Sequence, residues 1–198
     1  MNYCVQIIFL LEEPSMAEML KILLPKIIPD DLTYKCIPHE GKQDLEKSIP
    51  RKLKAFPKET KFVIIRDQDS GDCLKTKQKL FQICQQGNRN DILIRIACHE
   101  LESWFLGDLK AVENGFKLKA GKLAKLQDKV KYRKPDNISS PKQELKKLVD
   151  IYQPISGSRA IANYLDIEIN RSKSFHVFIC GLKNLIGELK SSKKDRDL

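Results

Sequence analysis

Hydrophobic residues follow two alternating patterns over the first hundred positions. Short, nearly continuous apolar runs end at acidic or turn residues, and between them lie stretches with apolar positions three and four apart. Residues 3–12, YCVQIIFLLE, form the first run and stop at Glu12, Glu13 and Pro14, as a strand buried on both faces of a parallel sheet does. From Ser15 to Leu24, Met16, Met19, Leu20, Leu23 and Leu24 recur at helical spacing, and Ser15 with Glu18 three residues on has the form of a capping box. The unit repeats. Residues 32–37 read as a second strand, 42–56 as a second helix, 61–66 (KFVIIR) as a third strand, 73–86 as a third helix ending near Gly87, and 91–97 (DILIRIA) as a fourth strand. Strands alternating with helices of this length predict an α/β fold, a doubly wound parallel sheet of about four strands with right-handed crossovers.

After the fourth strand, Leu101, Trp104 and Phe105 fall at i, i+3 and i+4 within residues 99–105 and predict one buried helix face. The stretch 109–189 reads as helical and basic, interrupted by Pro135, Pro141 and Pro154. The expected organisation is an α/β core over 1–108, a basic helical layer over 109–190 appended to it, and a frayed tail over 191–198, SSKKDRDL. Hydrophobic residues at 41% and charged residues at 31% are those of a globular protein. A net charge of +10 favours polyanionic partners, nucleic acid (DNA or RNA) above all, with a solvated lysine coat as the alternative. The six cysteines include no C-x-x-C pair, and no leader-like segment precedes them; the expectation is reduced thiols and a cytoplasmic protein. No apolar run approaches the length of a bilayer span, so no membrane association is expected.

The chemistry concentrates where the third strand gives way to its helix, in Arg66-Asp67-Gln68-Asp69-Ser70-Gly71-Asp72. Three acids in six residues repel one another unless a cation or several donors offset them, and carboxylate oxygens are the ligands that Mg²⁺ and Mn²⁺ prefer. Glu12 ends the first strand, which in such folds runs beside the third, and ligands bind beyond the carboxyl ends of the strands. Glu12, Asp67, Asp69 and Asp72 are therefore the candidate metal ligands, with helix capping as the other role for Asp72. Other motifs do not fit. A D-x-D phosphatase places its pair after the first strand, and an EF-hand begun at Asp67 needs Gly and Glu where the chain has Asp72 and Gln78. No glycine-rich nucleotide loop occurs. Toward the end of the chain, Arg171, Ser172 and Ser174 precede an apolar helix as a phosphate seat would, and Arg133 and Lys134 form a basic loop; these are the candidate nucleic-acid contacts.

A glutamate closing the first strand and D-x-D closing the third resemble the Toprim domain of topoisomerases, primases and overcoming-lysogenization-defect-type nucleases over about residues 3–106. The segments LLEEPSMAEML, RDQDSGDC, RIACHELESWFLGD and NRSKSF further resemble an uncharacterised bacterial Toprim-like family encoded beside AAA or ABC-type ATPases in restriction and phage-defence loci. The resemblance implies Mg²⁺- or Mn²⁺-dependent cleavage of nucleic acid. Glu12, Asp67 and Asp69 would be its metal residues, Glu12 and Glu102 the catalytic carboxylates, and Glu100 an alternative to Glu102. It also implies an ATPase partner and leaves homo-oligomers open. The other reading is a non-catalytic or toxin-like regulatory subunit of an ATPase complex. The chain departs from the Toprim pattern at Glu13-Pro14, where glycine usually follows the glutamate, and at Asp72, where glycine usually follows D-x-D.

Overall fold

The computed structural model describes residues 6–194, with side chains through Ser191. Four parallel strands form one sheet: β1 (Ile7–Leu11), β2 (Tyr34–Pro38), β3 (Lys61–Asp67) and β4 (Ile92–Ala97). Their order is β2-β1-β3-β4, so the two strands that carry the acidic motifs lie side by side at the centre, with Leu11 opposite Ile65. Helices α1 (Pro14–Leu23), α2 (Lys42–Ala55) and α3 (Cys73–Gln86) make the crossovers. Strand alternation sends Ile7, Phe9 and Leu11 into one core and Ile8 and Leu10 into the other, and all five are fully buried. That two-sided burial explains why β1 is continuously apolar rather than alternating. Residues 3–5, including Cys4, lie outside the described residues.

The core on the α2 and α3 face is small. The opposite core is the larger and draws on α1 together with α4 (Glu102–Leu106), α5 (Leu109–Gly115), α6 (Pro141–Leu148), α7 (Pro154–Ala162) and α8 (Lys173–Lys194). Trp104 is its hub, stacked on Phe178 at 5.2 Å between ring centroids and edge-on to Phe175 at 5.3 Å. The C-terminal part of the chain is thus a helical layer over one face of the four-stranded parallel sheet.

Local details correct the sequence reading in three places. No capping box precedes α1. Glu13 holds the N-cap position without a side-chain cap, Pro14 starts the helix, and Ser15 donates to Glu13 at 3.2 Å. Proline at the first helical position has its φ preset and no N–H to satisfy, which moves the start forward. For the same reason Pro141 and Pro154 begin α6 and α7, and Pro135 begins a short 3₁₀ turn, instead of interrupting helices. Finally, α8 continues to Lys194, four residues into the stretch expected to fray; 195–198 lie outside the described residues.

Among the described residues no helix is long and apolar enough to cross a membrane. Cys36, Cys73, Cys84, Cys98 and Cys180 are free, and burial pushes the Cys84 thiol up to about 12.

Candidate metal centre

Glu12 follows β1 directly, and its backbone N–H continues the ladder to Ile65 O at 3.2 Å. Its carboxylate turns toward β3, where Oε2 accepts from the Asp67 backbone N–H at 3.0 Å. Two acidic residues 55 positions apart in sequence are thereby joined, side chain to backbone, at the ends of neighbouring strands. Asp67 is 4% exposed, and its Oδ1 is buried with no hydrogen-bond partner. Burial pushes the Asp67 carboxyl well above the usual range, and the charges of Glu12, Glu102 and Glu13 push it further. Glu12 is raised mainly by burial, partly offset by the Asp67 N–H. An orphaned carboxylate oxygen among other acids is costly without a counter-charge.

Glu102 reaches the same place from the first turn of α4. It is 2% exposed, is raised by burial, and accepts from the Tyr152 hydroxyl at 2.9 Å. Lys142, near the start of α6, brings its Nζ to 3.9 Å from Glu102, while its backbone N–H donates to Glu100 Oε2 at 2.8 Å. Burial disfavours the Lys142 charge, but Glu102, Glu13, Glu100 and Asp67 outweigh it and raise the ammonium. Neither Lys142 nor Tyr152 carries a sequence signal, because each joins the acids only through packing of the helical layer.

Asp69 stands apart from this buried group. It is paired with Lys42 Nζ at 2.9 Å and lies 4.0 Å from Arg66. Arg66 in turn binds Glu46 at 2.9 Å and keeps its Nε 3.6 Å from Glu12. Asp69 and His99 both have left-handed backbones, with φ of 56° and 57°, and the Asp69 N–H donates to His99 O at 2.8 Å. Two such non-glycine residues bonded to each other mark a constrained junction between the loops after β3 and β4. Asp72 takes the capping role, its Oδ1 accepting from Lys75 N at 2.8 Å at the start of α3. Among the described residues no three His, Cys, Asp or Glu side chains form a ready-made metal cage. The orphaned Asp67 oxygen beside Glu12 nevertheless suits a hard divalent cation, which would satisfy it and offset the repulsion.

The remaining candidates divide. Ser172 and Ser174 are buried and internally used: Ser172 Oγ accepts from Phe175 N at 3.2 Å, and Ser174 Oγ accepts from Trp104 Nε1 at 2.9 Å. The anion seat at the start of α8 exists, but Asp136 fills it, accepting from Ser174 N at 2.7 Å and Ser172 Oγ at 2.6 Å. In this arrangement Ser172 caps α8 and the Ser174 hydroxyl serves Trp104, so both expected phosphate contacts have internal partners. Arg171 is spent on Gln127 O and Asp128, at 2.9 and 2.7 Å. Arg133 and Lys134 are exposed on the loop before Pro135.

Residues 11–183 match the family described as Domain of unknown function (DUF4276). The chain belongs to that family. Its structure resembles the C-terminal region of the Burkholderia pseudomallei OLD protein with a TM-score of 0.58 at 14% identity, covering 93% of this chain and 99% of that one. The C-terminal region of the Xanthomonas campestris pv. campestris OLD protein aligns with a TM-score of 0.50 at 11% identity, covering 94% and 98%. Identities this low speak for a shared fold. No curated protein matches the sequence.

Proposed function

We propose that this DUF4276 protein is a Mg²⁺- or Mn²⁺-dependent nuclease of Toprim type, acting in bacterial defence beside an ATPase partner. The observation that carries the reading is Asp67: a buried carboxylate with an unpartnered oxygen, facing Glu12 and Glu102 beyond the carboxyl ends of adjacent strands. The fold shared with the OLD C-terminal regions supports it. Glu12 and Asp67 would hold the cation, with Asp69 joining once released from Lys42. A bound divalent cation would stabilise charge on the attacking and leaving oxygens of a phosphodiester. Glu12, or Glu102 oriented by the Tyr152 hydroxyl, would accept the proton from water, since burial raises both carboxyls toward the range of a useful base. Lys142 would limit the repulsion among the acids as the phosphate approaches.

Nicking of supercoiled plasmid and of RNA, with Mg²⁺ or Mn²⁺, tests the reading. The wild-type chain is expected to cleave and the double variant Asp67→Ala, Asp69→Ala to lose cleavage while keeping its circular dichroism. Undiminished cleavage by that variant would refute the site.

One observation favours a second reading, in which the chain is a non-catalytic or toxin-like subunit of an ATPase complex: Lys42 and Arg66 already compensate Asp69. That reading predicts no cleavage by the chain alone, with or without metal, and an effect only when the ATPase is added.

A further inference from the structure

Between Lys117 and Lys147 the chain has eleven Lys and Arg against three acids, so this stretch carries eight of the ten net positive charges. Its folding concentrates that charge beside the acidic centre. The stretch packs on α4 through α6 and the 3₁₀ turn at Pro135, and the Glu100 carboxylate holds the α6 end at the Lys142 N–H. Asp136 and Glu144, two of the three acids, are engaged by donors within the fold. Asp136 caps α8, and buried Glu144 accepts from the Tyr132 hydroxyl at 2.6 Å and pairs with Lys131.

A cleft of about 750 Å³ opens between this loop and α6, with Lys131, Arg133, Lys134 and Lys147 on its walls together with Glu144, which pairs with Lys131 and lies 3.9 Å from Lys147, so that Arg133 and Lys134 supply its uncompensated charge. Among the described residues neither Arg133 nor Lys134 has a carboxylate within ion-pairing distance. Ser139 lines this cleft and also a second one of about 490 Å³, whose other walls are Asp69, Ser70, His99 and Glu100. The basic cleft therefore leads, past a shared wall, to the D-x-D loop.

We infer that this cleft is a track for the phosphate backbone of a single nucleic-acid strand, delivering it to the acidic centre from the Arg133–Lys134 side. The inference deepens the nuclease reading and rests on it for the role of the acids, but not for binding. Size favours a single strand, because a cleft of this volume belongs to the small-ligand class and is too small to enclose a duplex. Among the described residues no exposed aromatic ring lines the walls, so bases would not be held by stacking and recognition would be of the backbone.

Binding of fluorescein-labelled oligothymidylate and oligouridylate to the full-length chain in EDTA, followed by anisotropy over a salt series, tests this without requiring cleavage. Replacing Arg133 and Lys134 together by Gln is expected to weaken binding at every salt concentration and to lower the slope of log K against log salt by about 1.4, roughly 0.7 for each lost phosphate contact. The control variant Arg51→Gln, Lys54→Gln loses the same charge from exposed positions on α2, on the opposite face of the sheet, and is expected to keep the wild-type slope. An unchanged slope in the cleft variant, an equal loss in the control, or equally tight binding of a duplex of the same length would overturn the track. Should the cleft variant lose binding while the Asp67 and Asp69 variant still cleaves, the acidic site fails and the track stands.

Discussion

Asp67 shows how one side chain can be unfavourable for the empty protein and useful for its ligand. Its carboxyl is raised by burial and by Glu12, Glu102 and Glu13, so the folded state holds the proton more tightly than the unfolded chain does. A raised folded value means that stability from this group is present at low pH and lost as pH rises through that value. In EDTA the melting temperature should accordingly fall as the pH is raised above the ordinary carboxylate range. Asp67→Asn keeps the site neutral and should melt higher than wild type at the upper pH, by roughly 2–4 °C for each kcal/mol recovered. The same variant should lose the stabilisation that Mg²⁺ gives the wild-type protein. A variant that melts lower than wild type at the upper pH would argue that the Asp67 charge is already compensated.

At the scale of elements, helix starts decide what the loops can offer. The segment before α8 has the hydroxyls and cations of a phosphate seat, yet its donors are consumed by Asp136, 38 positions away from Ser174. That carboxylate ties the basic loop to α8, while Asn170 fixes the approach by donating to Trp104 O at 2.8 Å and accepting from Ser172 N at 2.8 Å. Gly107 permits this crossing, since a Cβ there would lie 2.1 Å from Asn170 Oδ1 and 2.9 Å from Ser172 N. Asp136→Ala strips a charged acceptor from several donors at once and should cost about 1.5–3 kcal/mol, measurable as a lower urea midpoint. Unaltered stability would mean that water replaces the carboxylate at no cost.

For the whole molecule, the larger core is built from both halves of the chain. Met16 and Leu20 of α1 share it with Trp104, Tyr152, Phe175 and Phe178, and α1 packs against α7. Residues 1–108 alone would leave one face of the sheet and of α1 in water. Expressed separately, that fragment should lack the near-ultraviolet circular dichroism of the full chain and bind a hydrophobic dye. A cooperatively melting fragment would instead make the helical layer dispensable for folding. Such a layer has a second consequence: it supplies Tyr152 and Lys142 to the acids at the strand ends, so folding and assembly of the site are one event.

Periodicity by itself determined the strands, the crossover helices and the placing of Glu12, Asp67 and Asp69 at strand ends, because burial on two faces writes a continuous apolar run and each crossover writes a helical one. The appended layer was legible as helical but not in its contacts, since an amphipathic stripe states that a face is covered and not by what. Tertiary structure decided which acids share an environment: Glu12 turns to Asp67 and Asp69 goes to Lys42. It also decided that Ser172 and Ser174 face inward and that Lys142 stands beside Glu102. Those outcomes depend on distances between residues some thirty to more than fifty positions apart, and local pattern carries no record of such distances.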